Sequence, residues 1–302
     1  MQTGLAIPSS AGESPIRITP ISDAVGAEIK GIDLTQVDEA AFALIRQAWD
    51  RYGALLFRDQ TLGHEALVAF SRRFGDLDLA PVQENGRTAV PGYPEIYVVS
   101  NILGPDGKPI GSLGAGEAVW HTDMSYLDNP PDASMLYAVE VPPAGGDTWV
   151  CGMNAACAAL PKALREAVRG RGLKHDGTYN SGGYLRAGVA ANDDPVSSIG
   201  VAHPILCAHP RTGVPTLYLG RRKNAYVVGL PLDESEALLD ELWAHATRPE
   251  HVYAHRWRVG DLLLWDNRST MHRRDPFDPN ARRLMLRTQI KGKEPPKAAA
   301  DG

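Results

Sequence analysis

The sequence predicts a mainly β protein with flanking helices, built around a double-stranded β-helix, a jelly roll of the cupin-like kind. Eight short apolar segments between residues 119 and 291 have strand character and are separated by turn residues. Two helical segments interrupt them, near 154–169 and 233–247, which is too few for a parallel sheet that needs a helix between nearly every pair of strands. The 30 glycines and 23 prolines also break the chain too often for a bundle of long helices.

The first eighty residues precede this region and predict the order β-β-α-β-α. Residues 16–21 and 26–34 alternate apolar and polar side chains, as short strands do. Residues 38–51 carry apolar side chains at helical spacing and predict an amphipathic helix. The compact apolar run at 52–57 suits a buried strand, and a second helix is expected near 63–73.

Length and linkers favour a single domain. A chain of 302 residues has room for one large domain or two small ones, and no linker or internal repeat divides it. We expect one domain over 16–292, with flexible tails at 1–15 and 293–302, because both ends are rich in small, polar or proline residues. Two glycine-rich segments, 101–117 and 176–202, are long enough to act as lids over a site.

Composition and charge exclude several function classes. A net charge of −5 provides no basic field for nucleic acid or for an anionic membrane, and no apolar run is long enough to predict a membrane span. The N-terminus lacks the pattern of a signal peptide, and the three cysteines form no CxxC pair. The sequence therefore predicts a cytoplasmic protein whose partner is a small molecule.

Two histidines and one carboxylate form the strongest chemical pattern. His121 and Asp123 lie two residues apart in a predicted strand, so both side chains are expected on the same face. His272 follows much later, at the predicted start of a turn before the last strand. This ligand set is the facial triad of non-haem Fe(II) oxygenases, which leaves coordination positions open. A Zn²⁺ site more often uses cysteine or three histidines.

Two arginines follow the second histidine and lie four residues apart. Because Arg283 and Arg287 belong to one predicted strand, their side chains should point to the same side. Two guanidiniums inside an apolar barrel are costly unless each meets an anion, so two anionic partners are implied. Arg282 faces the other way and is expected to be an ordinary surface residue.

Four motifs stand in order along the chain: WHTD at 120–123, GGDT at 145–148, WDNR and a following histidine within 265–272, and the arginine pair. Together they resemble the taurine dioxygenase / 2,4-dichlorophenoxyacetate dioxygenase family of Fe(II)- and 2-oxoglutarate-dependent oxygenases. The resemblance extends from about residue 16 to residue 292. It implies an enzyme that uses Fe(II), 2-oxoglutarate and O₂, converts 2-oxoglutarate to succinate and CO₂, and hydroxylates a small anionic substrate.

The resemblance also implies a role for each motif residue. The Fe(II) ligands would be His121, Asp123 and His272. Arg283 would pair with the distal carboxylate of 2-oxoglutarate, and Thr148 would donate a hydrogen bond to the same carboxylate. Arg287 would face the anionic group of the substrate. The aspartate among the ligands argues against a related halogenase, which carries a small residue in its place.

The identity of the substrate is less readable. Taurine is disfavoured because Ala80 stands where taurine-type members carry a histidine. Met124 lies where family members touch substrate, and a polar loop could supply Tyr179, Asn180 or Tyr184. Sulfonates, phenoxyalkanoates, sulfate esters and carboxylates are all candidates. Family members are commonly dimers or tetramers, so the resemblance is compatible with a homo-oligomer.

Two other classes of protein remain open. One is a non-catalytic β-barrel that keeps a metal for structure or ligand capture, and the other is a metal-dependent hydrolase or isomerase on the same barrel. Neither needs the dicarboxylate clamp that Thr148 and Arg283 would form. For the remaining histidines we expect packing or surface roles. His175 could face the pocket, although a solvated position is favoured, and His255 lies in a segment without the spacing of a metal-ligand partner.

Overall fold

Strands outnumber helices in the part of the chain that the computed structural model describes, which comprises residues 6–7 (backbone only), 16–80 and 90–300. The helices are α1 (Glu39–Tyr52), α2 (His64–Arg72), α3 (Met153–Ala158), α4 (Lys162–Val168) and α5 (Leu232–Ala246), and a 3₁₀ turn spans Pro249–His251. The strands are β1 (Ala6–Ile7), β2 (Ile16–Pro20), β3 (Ala27–Lys30), β4 (Ala54–Phe57), β5 (Tyr97–Ser100), β6 (Ser112–Leu113), β7 (Ala118–His121), β8 (Ala133–Glu140), β9 (Thr148–Gly152), β10 (Gly172–Asp176), β11 (Gly200–Pro204), β12 (Leu206–Ala208), β13 (Pro215–Leu217), β14 (Tyr226–Val227), β15 (Val252–His255), β16 (Leu262–Asp266), β17 (Thr270–Arg274), β18 (Leu284–Ile290) and β19 (Lys297–Ala298). None of the helices in these ranges has both the length and the apolar character that crossing a bilayer requires.

These strands form four sheets within the described ranges. The main sheet has nine strands in the order β1-β2-β3-β4-β16-β8-β18-β5-β6, and it is antiparallel except where β3 pairs with β4 and β5 with β6. A four-stranded antiparallel sheet has the order β15-β9-β17-β7. Two three-stranded sheets, β11-β10-β14 and β13-β12-β19, complete the set.

The main sheet and the four-stranded sheet pack against each other and enclose the interior of the barrel. Leu136, Leu263 and Met285 come from three neighbouring strands of the main sheet, β8, β16 and β18. They share one buried cluster with Val150 from β9 of the other sheet. Two antiparallel sheets joined by an apolar interior confirm the predicted jelly-roll core.

Helix α1 shows how the sequence sets an element and its packing. Asp38 caps its N-terminus by accepting a hydrogen bond from the Ala41 amide at 2.7 Å, and the helix stops at Gly53, whose φ of 67° suits glycine. Ile45 and Trp49 lie four residues apart and are buried against the main sheet. Burial of a side chain the size of Ile45 contributes about 2 kcal/mol. The amphipathic helix predicted here is confirmed.

Two of the elements that differ from the sequence prediction are the helix expected near 154–169 and the segment that contains His272. The single helix expected over 154–169 is two helices, α3 and α4, because Pro161 cannot donate a backbone hydrogen bond and instead precedes the first turn of α4. His272 lies in the middle of β17 rather than at the start of a turn. The run Thr-Met-His-Arg-Arg is too polar to be recognised as a strand, and its pairing with β7 and β9 on its two sides determines its conformation.

Both predicted tails contain residues that are paired. Ala298 of β19 lies opposite Cys207 of β12, and the Ala299 amide donates to the Leu206 carbonyl at 3.0 Å. The expectation of a flexible tail over 293–302 stays a prediction, and this pairing disfavours it for residues 297–299. At the other end β1 pairs with β2, and the rest of the predicted N-terminal tail lies outside the described residues.

Candidate active site

A histidine, an aspartate and a second histidine meet between the two facing sheets. His121 ends β7 and His272 lies opposite it on β17, so strand pairing itself brings the two imidazoles together. Oδ1 of Asp123 lies 3.5 Å from Nε2 of His121 and 3.9 Å from Nε2 of His272. The three ligand atoms lie within 4.8 Å of one another, and all three residues are buried. Because metal–ligand bonds are about 2.0–2.2 Å long, this set can hold one divalent ion.

Asp123 does not lie on the same strand as His121, so the predicted alternation along a strand is wrong. β7 ends at His121, and Asp123 belongs to the turn that follows, where the Thr122 amide donates to the Gly220 carbonyl at 3.0 Å. Met124, next in the chain, has a φ of 47°, a left-handed conformation that is uncommon for residues other than glycine. The constrained turn brings the carboxylate to the place where a strand was expected to put it.

Hydrogen bonds behind the triad determine which atoms face its centre. Nδ1–H of His121 donates to the Val119 carbonyl at 2.7 Å, which leaves Nε2 with its lone pair toward the triad. Oδ2 of Asp123 accepts a hydrogen bond from the Ser134 hydroxyl at 2.7 Å, which leaves Oδ1 facing the imidazoles. Burial and the neighbouring His121 lower the pKa of His272 to about 3, so this imidazole is neutral and able to coordinate a metal.

A cavity of about 50 Å³ beside the triad contains a buried arginine. Arg283 is 1% exposed, and its Nε and Nη2 have no hydrogen-bond partner among the described residues. Burial and the nearby Arg274 lower its pKa to about 9, so the group is still a cation at neutral pH. In the same cavity the Thr148 hydroxyl accepts a hydrogen bond from the Trp257 indole at 3.0 Å and has its own hydrogen to donate. A carboxylate would satisfy both groups.

Arg274 is a second cation in this small cavity, and the sequence reasoning missed it. It follows His272 by two residues on β17, so alternation places both side chains on the cavity face. Its Nη2 donates to the carbonyls of Leu113 and Gly116, which ties the loop at 101–117 to the barrel. Arg274 could have been predicted from the sequence if β17 had been recognised as a strand.

Arg287 lies at the border between this cavity and a larger one, and it already has a partner. Its Nη1 donates to Oδ1 of Asp123 at 3.2 Å. Burial opposes ionisation of Asp123, but Arg287 and the imidazoles outweigh it and hold the pKa of this carboxyl well below its ordinary value. Of the two anionic partners that the sequence implies, the one for Arg287 is thus Asp123 of the chain itself, whereas Arg283 has no carboxylate partner among the described residues. Arg282 is exposed and pairs with a surface glutamate at 2.8 Å, as an ordinary surface residue should.

The larger cavity, of about 400 Å³, opens onto the triad. Of the predicted substrate contacts, Met124 and Asn180 line it. The side chain of Tyr179 does not line it, because its ring packs against Lys223, whose Nζ lies 3.6 Å from the ring centroid. Tyr184 is 54% exposed and also lies outside the lining. The structure therefore places Met124 and Asn180 at this cavity and Tyr179 and Tyr184 outside its lining, and substrate contact by Tyr179 stays a prediction.

Two more arginines, Arg186 and Arg221, line this larger cavity and were not predicted. Arg221 is 4% exposed, and its Nη1 donates to the Tyr179 carbonyl. The guanidinium of Arg186 lies 4.2 Å from the centroid of the Tyr126 ring, which lines the same cavity. Both arginines come from irregular loops with no motif or periodicity, so only the fold shows that they belong to the site.

His175, His255 and Ala80, for which the sequence made predictions, lie outside the triad. His175 is 1% exposed on β10, so the expected solvated position is wrong, and neither ring nitrogen has a partner in the described part of the chain. Nε2 of His255 lies 3.1 Å from the buried Asp261 carboxylate, and burial lowers the pKa of this histidine. Ala80 packs against the apolar cluster that contains Trp265. None of these residues joins the metal-binding group.

A cavity of about 540 Å³, larger than either of these two, lies away from the triad. Its lining includes Trp49, Phe74, His209 and Arg268, and residues 293–298 close one side of it. No triad residue lines it. Cavity volume alone therefore does not identify the candidate active site, whereas the converging buried ligand atoms do.

Comparison with known proteins agrees with this geometry. Residues 17–289 match the model of the family described as Taurine catabolism dioxygenase TauD, TfdA family. The alpha-ketoglutarate-dependent 2,4-dichlorophenoxyacetate dioxygenase of Cupriavidus pinatubonensis is 36% identical over 276 residues, which cover 89% of this chain and 95% of that protein. The crystal structure of a taurine dioxygenase from Burkholderia xenovorans has a TM-score of 0.74 at 36% identity and covers 93% of this chain and 92% of its own. The crystal structure of AAD-2 in complex with Mn(II) and N-oxalylglycine has a TM-score of 0.75 at 29% identity, covering 93% of this chain and 98% of its own.

The family match includes every residue of the triad and the arginines of both adjoining cavities. The 2,4-dichlorophenoxyacetate dioxygenase is similar over nearly the whole of both chains rather than over a shared fragment. Sequence motifs, buried geometry and similarity to known proteins thus agree, and the chain belongs to the TauD/TfdA family of dioxygenases.

Proposed function

We propose that the protein is an Fe(II)- and 2-oxoglutarate-dependent dioxygenase that couples conversion of 2-oxoglutarate to succinate and CO₂ with hydroxylation of a small anionic substrate. The observation that carries this conclusion is the buried set of His121, Asp123 and His272 beside a cavity in which Nε and Nη2 of Arg283 have no hydrogen-bond partner among the described residues. A metal-dependent hydrolase has no use for a dedicated clamp for a dicarboxylate. Membership of the family supports the same reaction.

The donor set fits Fe(II). Two imidazoles and one carboxylate with open positions are the ligands of non-haem iron oxygenases, whereas structural zinc sites favour cysteine. The ligand atoms already converge, and hydrogen bonds to Val119 and Ser134 orient two of the three ligands. When bound, the iron supplies the oxidising chemistry that links 2-oxoglutarate, O₂ and the substrate.

Arg283 and Thr148 are suited to hold the distal carboxylate of 2-oxoglutarate. Arg283 presents two partnerless nitrogen atoms, Nε and Nη2, and a planar guanidinium matches a carboxylate better than an ammonium does. The Thr148 hydroxyl would donate to the same group. Arg274 adds positive charge nearby, while its Nη2 is held by loop carbonyls. An anion here would offset the cost of burying two cations.

The 400 Å³ cavity is suited to the substrate. Arg287, at its border with the triad, would face an anionic group of the substrate, with Met124 and Asn180 as further contacts. Relatives are named for 2,4-dichlorophenoxyacetate, for (S)-phenoxypropionate and for sulfate esters, which are anions at neutral pH. The loops at 101–117 and 176–202 would exclude water and hold the substrate in position.

Anaerobic addition of Fe(II) and 2-oxoglutarate should give a visible charge-transfer band, and air should then release succinate. Arg283→Ala should weaken 2-oxoglutarate binding by about 10- to 100-fold, because a charge-assisted pair is lost. Arg287→Ala should mainly raise the KM for an anionic substrate. Arg282→Ala removes only an exposed guanidinium and is the matched control. Absence of both band and succinate from the wild-type protein would rule out the oxygenase.

Location and assembly belong to the same proposal. The three cysteines are buried and unpaired, which supports a reducing compartment such as the cytoplasm. A homodimer or homotetramer is expected from the family, and light scattering on the purified protein would test it. A monomer at all protein concentrations would contradict this expectation.

A further inference from the structure

The 400 Å³ cavity contains two arginines, Arg186 and Arg221, which we call the distal arginine pair and which the proposed reaction does not use. Arg221 is 4% exposed, and its Nε is buried without a hydrogen-bond partner in the described structure. Nε of Arg186 is also buried and partnerless, while its guanidinium packs on the ring of Tyr126. Neither arginine has a carboxylate within ion-pair distance among the described residues.

The distal arginine pair places two like charges in one cavity. Burial, and then repulsion from Arg186, lower the pKa of Arg221 to about 10, so it remains a cation at neutral pH at a cost in free energy. Asp176 and Asp123 act in the opposite direction from a distance, but Asp123 is already committed to the triad and to Arg287. An anion bound between the two guanidiniums would remove both the burial cost and the repulsion.

All the buried arginines of the described chain lie beside the triad. Three of the described arginines are buried, Arg221, Arg274 and Arg283, and each lines one of the two cavities next to the triad. Arg274 and Arg283 share the small cavity that suits the carboxylate of 2-oxoglutarate. Arg221 is therefore the buried cation for which the proposed reaction supplies no anion.

We propose that the distal arginine pair binds a second anionic group of the substrate, so that the enzyme acts on a molecule with two acidic groups. One acidic group would be directed to Arg287 and the other to Arg186 and Arg221. Val189 and Ile199 line the same cavity and suit an apolar body for this molecule. The identity of the reaction rests on the proposed function, whereas the anion site itself does not.

A purely structural role is the rival explanation for Arg221. Its Nη1 donates to the Tyr179 carbonyl and so holds the neighbouring loop in place. This contact accounts for one nitrogen of Arg221 but not for its partnerless Nε, nor for the second arginine in the same cavity. A structural role predicts equal weakening of every ligand of the cavity when Arg221 is lost. An anion site predicts selective weakening of ligands with a second charge.

Inorganic sulfate is the first probe. With Mn(II) and 2-oxoglutarate present, replacement of chloride by sulfate at constant ionic strength should raise the Tm of the wild-type protein. The double variant Arg186→Leu/Arg221→Leu should lose most of this shift. Arg222→Leu removes the ion pairs with Glu236 and Asp240 and a hydrogen bond to the Glu236 carbonyl, and Arg222 does not line the cavity, so this variant is the matched control and should keep the shift. Equal shifts in wild type and double variant, or no shift in the wild type, would overturn the proposal.

Two phenoxyacetates of the same size provide the second probe, because they differ only in charge. Titrated into the anaerobic protein, the dianion 4-carboxyphenoxyacetate should bind about 10- to 100-fold more tightly than 4-carbamoylphenoxyacetate, in which an amide replaces the ring carboxylate and one negative charge remains. The double variant should lose this preference and keep its affinity for 2-oxoglutarate. A wild-type protein with no preference for the dicarboxylate, or a variant that keeps it, contradicts the proposal. Failure to bind 2-oxoglutarate at all would instead refute the proposed function, and the sulfate result would stand by itself.

Discussion

The orientation of Asp123 depends on hydrogen bonds that no motif encodes. The Ser134 hydroxyl on β8 donates to Oδ2 of Asp123 at 2.7 Å and accepts from the side-chain amides of Asn267 at 3.3 Å and Gln289 at 3.2 Å. One donated and two accepted bonds use the full capacity of a hydroxyl. The carboxylate is thus fixed through one oxygen and presents the other to the triad.

Ser134→Ala should weaken metal binding by about tenfold, because residues that orient a ligand contribute about this much to metal affinity. Titration with Mn(II), followed by electron paramagnetic resonance, measures the change. Ser235→Ala is the control, since Ser235 is equally buried but lies on α5 and accepts from the Val227 amide. The control should lower stability and leave Mn(II) affinity as it is. Unchanged affinity in the Ser134 variant would show that Asp123 is oriented without it.

Asp266 is a buried carboxylate that stabilises the fold and has no role in the proposed reaction. Arg268 donates to both of its oxygens at 2.8 and 2.6 Å, and Nε2 of His209 lies 3.0 Å from Oδ2. Burial opposes its ionisation, but Arg268 and His209 outweigh it and hold the pKa of the Asp266 carboxyl well below the ordinary value of 3.8. The ionised form is therefore favoured by folding.

Asp266→Asn should lower the free energy of unfolding by about 2 kcal/mol, because it removes two charge-assisted hydrogen bonds and leaves the partly buried Arg268 guanidinium with only the more distant Asp132 carboxylate, at 3.5 Å. The folded-state pKa is depressed, so the ion pair contributes fully above pH 4 or so and is lost as the pH falls below it. The difference between wild type and variant in urea unfolding should therefore shrink in acid. Asp240→Asn, in an exposed pair with Arg222, should change stability by less than about 0.5 kcal/mol. A difference that does not vary with pH would contradict this account.

At the scale of elements, the turn after β7 depends on the turn after β13. The Gly220 carbonyl accepts from the Thr122 amide, which lies between two triad residues. Gly220 has a φ of 63°, and a Cβ there would lie 1.9 Å from Nδ1 of His175 and 2.7 Å from Oγ of Ser125. Only glycine lets the two turns approach this closely.

Gly220→Ala should destabilise the protein by about 2–4 kcal/mol, from the left-handed backbone and the clash together, and should weaken Mn(II) binding as the turn moves. Gly213→Ala is the matched control. Its φ is 70°, but no atom lies within 4 Å of the added carbon, so it should cost only about 1–2 kcal/mol. Urea unfolding and Mn(II) titration together measure both effects. Equal losses in the two variants would mean that the close approach to His175 is unimportant.

Elements were predictable from the sequence where a single period runs through them. α1 and α5 show apolar residues at helical spacing, and both were found within a residue or two of their ends. β17 was missed because its partners on both sides, rather than its own composition, make it a strand. The break at Pro161 was readable in principle, since proline cannot continue a helix, but the apolar pattern runs across it.

At the scale of the whole molecule, the order of the motifs along the chain predicted the triad and the cavity of Arg283, because the residues of each motif are neighbours in the sequence. The distal arginine pair could not be found in this way. Arg186 and Arg221 come from two loops without periodicity, and only the packing of those loops on the barrel brings them into one cavity. The sequence therefore predicts the triad and the small cavity better than the residues that line the 400 Å³ cavity.

Deletion of residues 293–302 tests whether the C-terminal segment is a flexible tail or a part of the fold. It removes the β19 hydrogen bonds to β12 and one wall of the cavity around Trp49, so stability should fall by about 2 kcal/mol. Trp49 should also become more accessible to a fluorescence quencher. Deletion of 301–302 alone serves as the control, and 2-oxoglutarate affinity should survive both deletions. Full stability after the longer deletion would restore the view of this segment as a free tail.

The ligand-free protein carries an electrostatic cost that 2-oxoglutarate should relieve. Arg283 is 1% exposed with two partnerless nitrogens, and burial together with Arg274 lowers its pKa to about 9. A ligand at a hundred times its Kd stabilises the folded state by about 2.7 kcal/mol. In the wild type, Mn(II) and then 2-oxoglutarate should therefore each raise the Tm.

Arg283→Met should separate these two increments. Replacement of a buried unpaired cation by an apolar side chain of similar length is expected to leave the ligand-free protein as stable as the wild type or more so. The Mn(II) increment should remain, because the triad is untouched, and the 2-oxoglutarate increment should disappear. Arg282→Met, at the exposed neighbouring position, should keep both increments. If the Arg283 variant kept the 2-oxoglutarate increment, the dicarboxylate would have to bind elsewhere. If the variant lost several kcal/mol without ligands, the guanidinium would be part of the fold rather than a site held ready for an anion.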